Sequence, residues 1–138
     1  MNKALLDTDI FSEILKARNA NVVTRAVDYK EIFGQFTISA ITTMEIVAGL
    51  HKAGRIDALR KFVGSLQAIE VLPFDEECSI AAGRMIADLE KTGQPIGKAD
   101  PMIAAIAIQH ELTLVTGNTT HYERLQKLGY SLKLENWR

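Results

Sequence analysis

Apolar positions along this chain recur at two different spacings, and the places where one spacing gives way to the other mark out the elements. The run KALLD ends in an acid and a threonine, and IFSEILKA then sets Ile10, Ile14 and Leu15 at helical intervals, which predicts strand followed by helix. A second helix is expected from Val22 to Glu31. FTISAI is rich in β-branched residues and leads into TTMEIVAGLHKAG, again strand and then helix. Helical spacing continues from Ile56 to Leu66, and AIEVLPF reads as a third strand. Asp75 stands where it caps a long helix with Cys78, Ala82, Met85 and Leu89 on one stripe, stopped by Gly93 and Pro95. MIAAIAI, after Asp100 and Pro101, is apolar on every side, as suits a helix buried between a sheet and its neighbours. LTLVT is a fourth strand, His121 to Lys127 a short helix, and a last strand falls near YSLKL. This alternation predicts an α/β fold whose parallel sheet is covered on both faces.

Length narrows the organisation to one domain spanning residues 1–138, enough to bury roughly two thirds of the unfolded surface around one core. Hydrophobic residues at 47% and charged residues at 24% place the chain among ordinary globular proteins rather than disordered or fibrous ones. The net charge of −1 gives no global attraction for nucleic acid, so any such contact depends on local patches or metal ions. A lone cysteine, Cys78, allows no internal disulfide, which together with the lack of a signal peptide or a membrane-length apolar stretch predicts a cytoplasmic protein away from the membrane.

The chemistry lies at the strand-to-helix junctions. Asp7, Glu45 and Asp100 each fall where a predicted strand or loop gives way to a helix, and Asn118 falls at a fourth such place. Junctions of this kind in a parallel sheet share one edge, so four residues distant in sequence are carried to one crevice. Oxygen donors collected there suit Mg²⁺ or Mn²⁺. Each acid also has a purely structural explanation: Asp7 or Asp9 as cap of the first helix, Thr42 with Glu45 as a capping box, and Asp100 with Pro101 as cap and first turn. The two explanations are compatible, because a helix N-terminus stabilises an ionised carboxylate, while several such anions together repel until a cation joins them. His51, His110 and His121 lack zinc-ligand spacing; His51 and His110 read as surface residues, and His121, after TGNTT, lies on the suspected edge. Lys52, Arg55 and Lys98 are candidate phosphate contacts if the fold brings them to the rim.

Four motifs in order, LLDTDI with Asp7, ISAITTMEIVAGL with Glu45, PIGKADPMIAAIAI with Asp100, and LTLVTGNTTHYERL with Thr116 and Asn118, resemble the PIN-domain ribonucleases and, within them, the VapC toxins of toxin–antitoxin pairs. The resemblance runs nearly end to end. It implies a three-layer α/β/α sandwich with a central parallel sheet of four to five strands, and an acidic site that binds Mg²⁺ or Mn²⁺ and cleaves RNA, of transfer or ribosomal type. Asp7, Asp100 and Glu45 would ligate the metal, with Asn118 completing the catalytic set and Thr116, Asp9 and His121 supporting it. Asn118 stands where the family often has a further acid, and His121 where some relatives carry Glu, which leaves the second metal open. The resemblance also implies a homodimer and a VapB-like antitoxin, for whose arginine the clustered carboxylates are a natural acceptor.

Two other functions remain open on the residues. LLDTDIF is also how haloacid dehalogenase-like phosphatases begin, with Asp7 as nucleophile, although Phe11 departs from that pattern and Glu45 is left without a role. A degenerate PIN fold that binds RNA or protein without turnover is the other, resting on Asn118 in place of an acid.

Overall fold

A computed structural model covers residues 1–138. The elements run β1 (Ala4–Leu6), α1 (Thr8–Lys16), α2 (Ala20–Phe33), β2 (Thr37–Ser39), α3 (Ala40–Lys52), α4 (Ile56–Ser65), β3 (Glu70–Leu72), α5 (Glu76–Lys91), α6 (Ala99–Gln109), β4 (Thr113–Val115), α7 (Thr119–Lys127) and β5 (Lys133–Glu135), with a 3₁₀ turn at Leu66–Ala68 before β3. Every expected element is present. The second helix is longer than its apolar spacing predicts because Asn19 accepts the Val22 N–H at 3.1 Å and so starts it at Ala20.

All strand pairs are parallel, in two hydrogen-bonded ladders, β1-β4-β5 and β2-β3. β2 lies beside β1, giving a central sheet in the order β3-β2-β1-β4-β5, but no ladder joins the two halves. At Ala4 the backbone finds another partner: the buried Tyr29 hydroxyl of α2 accepts its N–H at 3.0 Å and donates to its C=O at 3.3 Å. A side chain thus satisfies backbone groups that a neighbouring strand would otherwise have to pair.

Alternation along the strands divides the core. Leu5 and Leu114 face one side, where they pack with α5, α6 and α7 through Met85, Ile103, Ile106 and Leu125. Ala4, Leu6 and Val115 face the other, packing with α1, α2 and α4 through Ile10, Tyr29 and Phe62. The result is an α/β/α sandwich, and α6, buried from Ile103 to Ala107, explains why its sequence shows no polar face. No helix is long and apolar enough to cross a membrane.

Two capping expectations are corrected and a third is resolved. Ser39, not Thr42, caps α3 by accepting the Thr42 N–H at 3.0 Å, so the helix starts at Ala40 and Glu45 sits inside it rather than in a capping box. Lys98 occupies the cap position of α6, so Asp100 is a first-turn residue. Asp7 caps α1, and Asp9 lies in its first turn.

Replacing Tyr29 with Phe removes one hydroxyl and leaves the Ala4 backbone groups without that partner, for an expected loss of about 1–3 kcal/mol. Urea denaturation of the Tyr29→Phe protein checks it; an unchanged midpoint would mean that Ala4 pairs elsewhere.

Candidate active site

The carboxyl ends of β1 and β4 lie side by side, because Ala4 pairs with Thr113 and Leu6 with Val115 in register. The Asp7 N–H donates to Val115 O at 2.9 Å, which fixes the residue leaving β1 directly against the strand that delivers Thr116. Asp7 is only 5% exposed, and both of its carboxylate oxygens accept hydrogen bonds. Oδ1 accepts the Thr8 N–H at 2.8 Å, and Oδ2 accepts the hydroxyls of Thr116 at 2.8 Å and Tyr122 at 3.1 Å.

Burial is the chief reason that the Asp7 carboxyl is pushed up to about 7, and the charge of Asp9 adds to it. Asp100 acts in the same direction, whereas the bonds from Thr116 and Thr8 oppose the rise. Tyr122, also buried, is held far above the usual phenol range and remains a proton donor beside Asp7. Asp9 accepts the N–H groups of Ile10 at 2.7 Å and Gly117 at 2.9 Å, with the Arg138 guanidinium 3.7 Å away. Burial raises its carboxyl too, Asp100 contributes, and these three neighbours work against the rise. A Cβ at position 117 would press on the Arg138 guanidinium and Asp9 Oδ2, so a side chain there would have to displace them.

Asp100 enters from the first turn of α6, and α7 closes over it. Its Oδ2 lies 3.3 Å from Asn118 Nδ2 and 3.1 Å from His121 Nδ1, and those two nitrogens are 2.8 Å apart. The Asn118 amide nitrogen can only donate, so His121 Nδ1 accepts from it as a neutral imidazole protonated at Nε2, whereas a bond from Nδ1 to Asp100 requires the proton on Nδ1. Glu45 joins the site by another route. Ser39 Oγ donates to Thr42 Oγ1 at 3.3 Å, and Thr8 Oγ1, 2.9 Å from Thr42 Oγ1, donates to Glu45 Oε1 at 2.7 Å. Three hydroxyls therefore line up as a donor relay ending on the Glu45 carboxylate.

The structure thus brings Asp7, Thr116 and Tyr122 into direct contact, ties Asp100 to Asn118 and His121, and connects Glu45 through Thr8. Asp9 stands closer to the centre than its place in the sequence suggested, sharing an electrostatic field with Asp7 and Asp100. Tyr122, Thr8 and Arg138 escaped the sequence reading: tyrosine on an apolar stripe looks like core, and nothing local links residue 138 to residue 9. As the side chains stand, no three His, Cys, Asp or Glu are arranged to hold an ion between them. The donor set nevertheless fits a hard divalent cation in kind, since it consists of oxygen donors whose mutual repulsion a cation would relieve.

The sign of the pH dependence follows from Asp7. Its folded value lies above its unfolded one, so the native state binds the extra proton, and stability is lost as pH rises from the ordinary 3.8 through about 7. The full rise corresponds to roughly 4 kcal/mol. In divalent-free buffer the Tm of the wild type is expected to fall between about pH 5 and pH 8 relative to Asp7→Asn, the variant being the more stable protein at the upper end. Parallel melting curves for the two proteins across that range would refute the assignment.

Residues 4–128 match the family model described as PIN domain. The chain is 33% identical over 138 residues to the tRNA(fMet)-specific endonuclease VapC of Shigella flexneri, with 99% of each chain covered. It is 30% identical over 141 residues to Ribonuclease VapC2 of Haemophilus influenzae, again with 99% of each covered. Among solved structures it is similar to DNA-bound VapBC from Salmonella typhimurium, with TM-score 0.82, 29% identity and 100% of each chain covered. It is also similar to VapBC2 from Rickettsia felis bound to a promoter DNA fragment, with TM-score 0.80, 26% identity and 98% of each covered. With its sheet order, its acidic edge and these matches, the chain belongs to the PIN domain family and groups with its VapC members.

Proposed function

We propose that this chain is a metal-dependent endoribonuclease, the toxin of a toxin–antitoxin pair, silenced by a VapB-like antitoxin. The observation that carries the proposal is the burial of Asp7 in the field of Asp9 and Asp100 at the carboxyl edge of a parallel sheet. Relatives spanning the whole chain and named endonuclease or ribonuclease VapC support it. Asp7 and Asp100, with Asp9 facing them and Glu45 on the adjoining wall, would hold Mg²⁺ or Mn²⁺. Such an ion supplies positive charge at the scissile phosphate and an acidified water for in-line attack.

The residues around the acids do the rest. Thr116, Tyr122 and the Thr8 N–H fix the Asp7 carboxylate in one orientation. Asn118 and His121 orient Asp100, and the imidazole, about a third exposed, is placed to pass a proton to or from solvent. The relay from Ser39 to Thr8 holds Glu45 where it can ligate or accept a proton from the attacking water. A phosphatase with Asp7 as nucleophile fits poorly, because it leaves Glu45, tied to the same site through Thr8, without a role.

A binding module without turnover is the second reading, favoured by the use of the Asn118 amide as a donor to Asp100 where a further acid would add ligating charge. Purified chain incubated with a mixed transfer and ribosomal RNA pool is expected to give discrete fragments with Mg²⁺ or Mn²⁺ and none with EDTA. Asp7→Asn and Asp100→Asn should each slow cleavage by more than about 100-fold, since metal stabilisation contributes several kcal/mol. Wild-type rates in both variants would overturn the site, and an uncut pool that is nevertheless bound would select the second reading. Addition of the cognate antitoxin is expected to abolish cleavage; full activity in the complex would reject that partner.

A further inference from the structure

Away from the aspartates, a groove of about 790 Å³ runs between α1, α3 and α4. Thr8 and Glu45 line it, so the groove and the site share a wall. Its other charged lining residues are Lys16, Arg18, Arg55 and Lys61, all exposed, and Glu45 is its single acid. None of these four cations forms a salt bridge; the ion pairs of the chain employ Lys3, Arg25, His121 and Arg138 instead. In a chain whose net charge is −1, this is a local concentration of unsatisfied positive charge.

We propose that this groove is the track for the single-stranded RNA flanking the cut, with Lys16, Arg18, Arg55 and Lys61 as contacts to its phosphates. The inference rests on the nuclease reading and adds the path of the substrate. A strand whose scissile phosphate reaches Asp7 and Asp100 carries further phosphates on either side, and the acid cluster repels them. They require cations, and the groove that adjoins the site at Glu45 holds four that nothing else uses. The Ser12 hydroxyl is a further donor to backbone oxygens, and Leu15, about half exposed, with Leu50 beside it gives a base an apolar surface to lie on. A protein segment that reaches the carboxylates, such as the antitoxin, would compete for the same groove; a strand of RNA is preferred as its occupant because its negative charge repeats at every nucleotide on either side of the scissile phosphate.

The contrast is measurable without turnover. Binding of a fluorescent single-stranded RNA of about ten nucleotides is followed in EDTA on the Asp7→Asn protein, as a function of salt. Three groove residues are neutralised together, Lys16→Gln, Arg18→Gln and Lys61→Gln, and compared with an equal change of charge on exposed residues elsewhere, Arg84→Gln, Lys91→Gln and Lys127→Gln. The groove variant is expected to bind at least about tenfold more weakly and to lower the salt slope by roughly 2, at about 0.7 per lost contact on a single strand. The control should keep both values. Equal losses in the two variants, or no loss in the groove variant, overturns the track. Retention of RNA affinity in the groove variant with loss of binding to an oligo-glutamate peptide overturns it in favour of a protein occupant. The same substitutions in the active protein separate the two readings: cleavage of the RNA pool by wild type with an unchanged KM in the groove variant removes the track and leaves the nuclease standing. A wild type that neither binds nor cuts removes both.

Discussion

Asp7 is a carboxyl group buried beside other acids, and much of the architecture around the site answers that conflict. Transfer of a lone carboxylate out of water is costly, and here two further aspartates add repulsion to it. The fold opposes this with groups drawn from distant segments: the N-terminus of α1 through Thr8, the loop after β4 through Thr116, and α7 through Tyr122. Those three donors can converge only if β1 and β4 are adjacent and in register and if α7 folds back over the strand ends. Sheet topology, helix placement and the ionisation of one residue are therefore a single problem.

Most of the fold could be read from spacing because hydrophobic periodicity is a local signal and each element here carries it. The unbroken apolar run of α6 predicted its burial, and the stripe Cys78, Ala82, Met85 and Leu89 is the buried side of α5. Boundaries were less legible. Ser39 ends β2 and caps α3 with the same residue, so the strand runs into the helix with no spacer, and Thr42 and Glu45, spaced like a capping box, became interior residues. Spacing alone cannot decide which of two nearby hydroxyls starts a helix.

The candidate site was legible where an acid stands at a junction, as at Asp7 and Asp100, which the fold brings to one edge, and opaque where a common residue joins it through tertiary contact. Tyr122 reads as core from its neighbours, and becomes a donor to Asp7 only because α7 lies over the strand ends. Asp9 looked peripheral since it follows the cap by two residues. The bond from Gly117 and the approach of Arg138 turn it inward, and both lie more than a hundred residues away. Metal affinity illustrates the same limit from the other side. Sequence counts carboxylates, but whether three of them converge depends on rotamers that hydroxyl and amide partners currently hold elsewhere.

Charge segregation completes the physical picture. Arg138 lies against Asp9 and Glu13, so the acidic cluster already takes one guanidinium of its own, at distances of 3.7 and 3.4 Å and on a half-exposed surface where such pairs are weak. A weak internal pair leaves the acids available to a stronger cation. The groove cations, by contrast, have no internal partner at all. The near-zero net charge therefore conceals two opposed fields, one that attracts cations to the strand ends and one beside it that attracts a polyanion. A nuclease that must bring a metal and a phosphodiester to the same atoms needs both fields close together, since either alone would repel one of the two reactants.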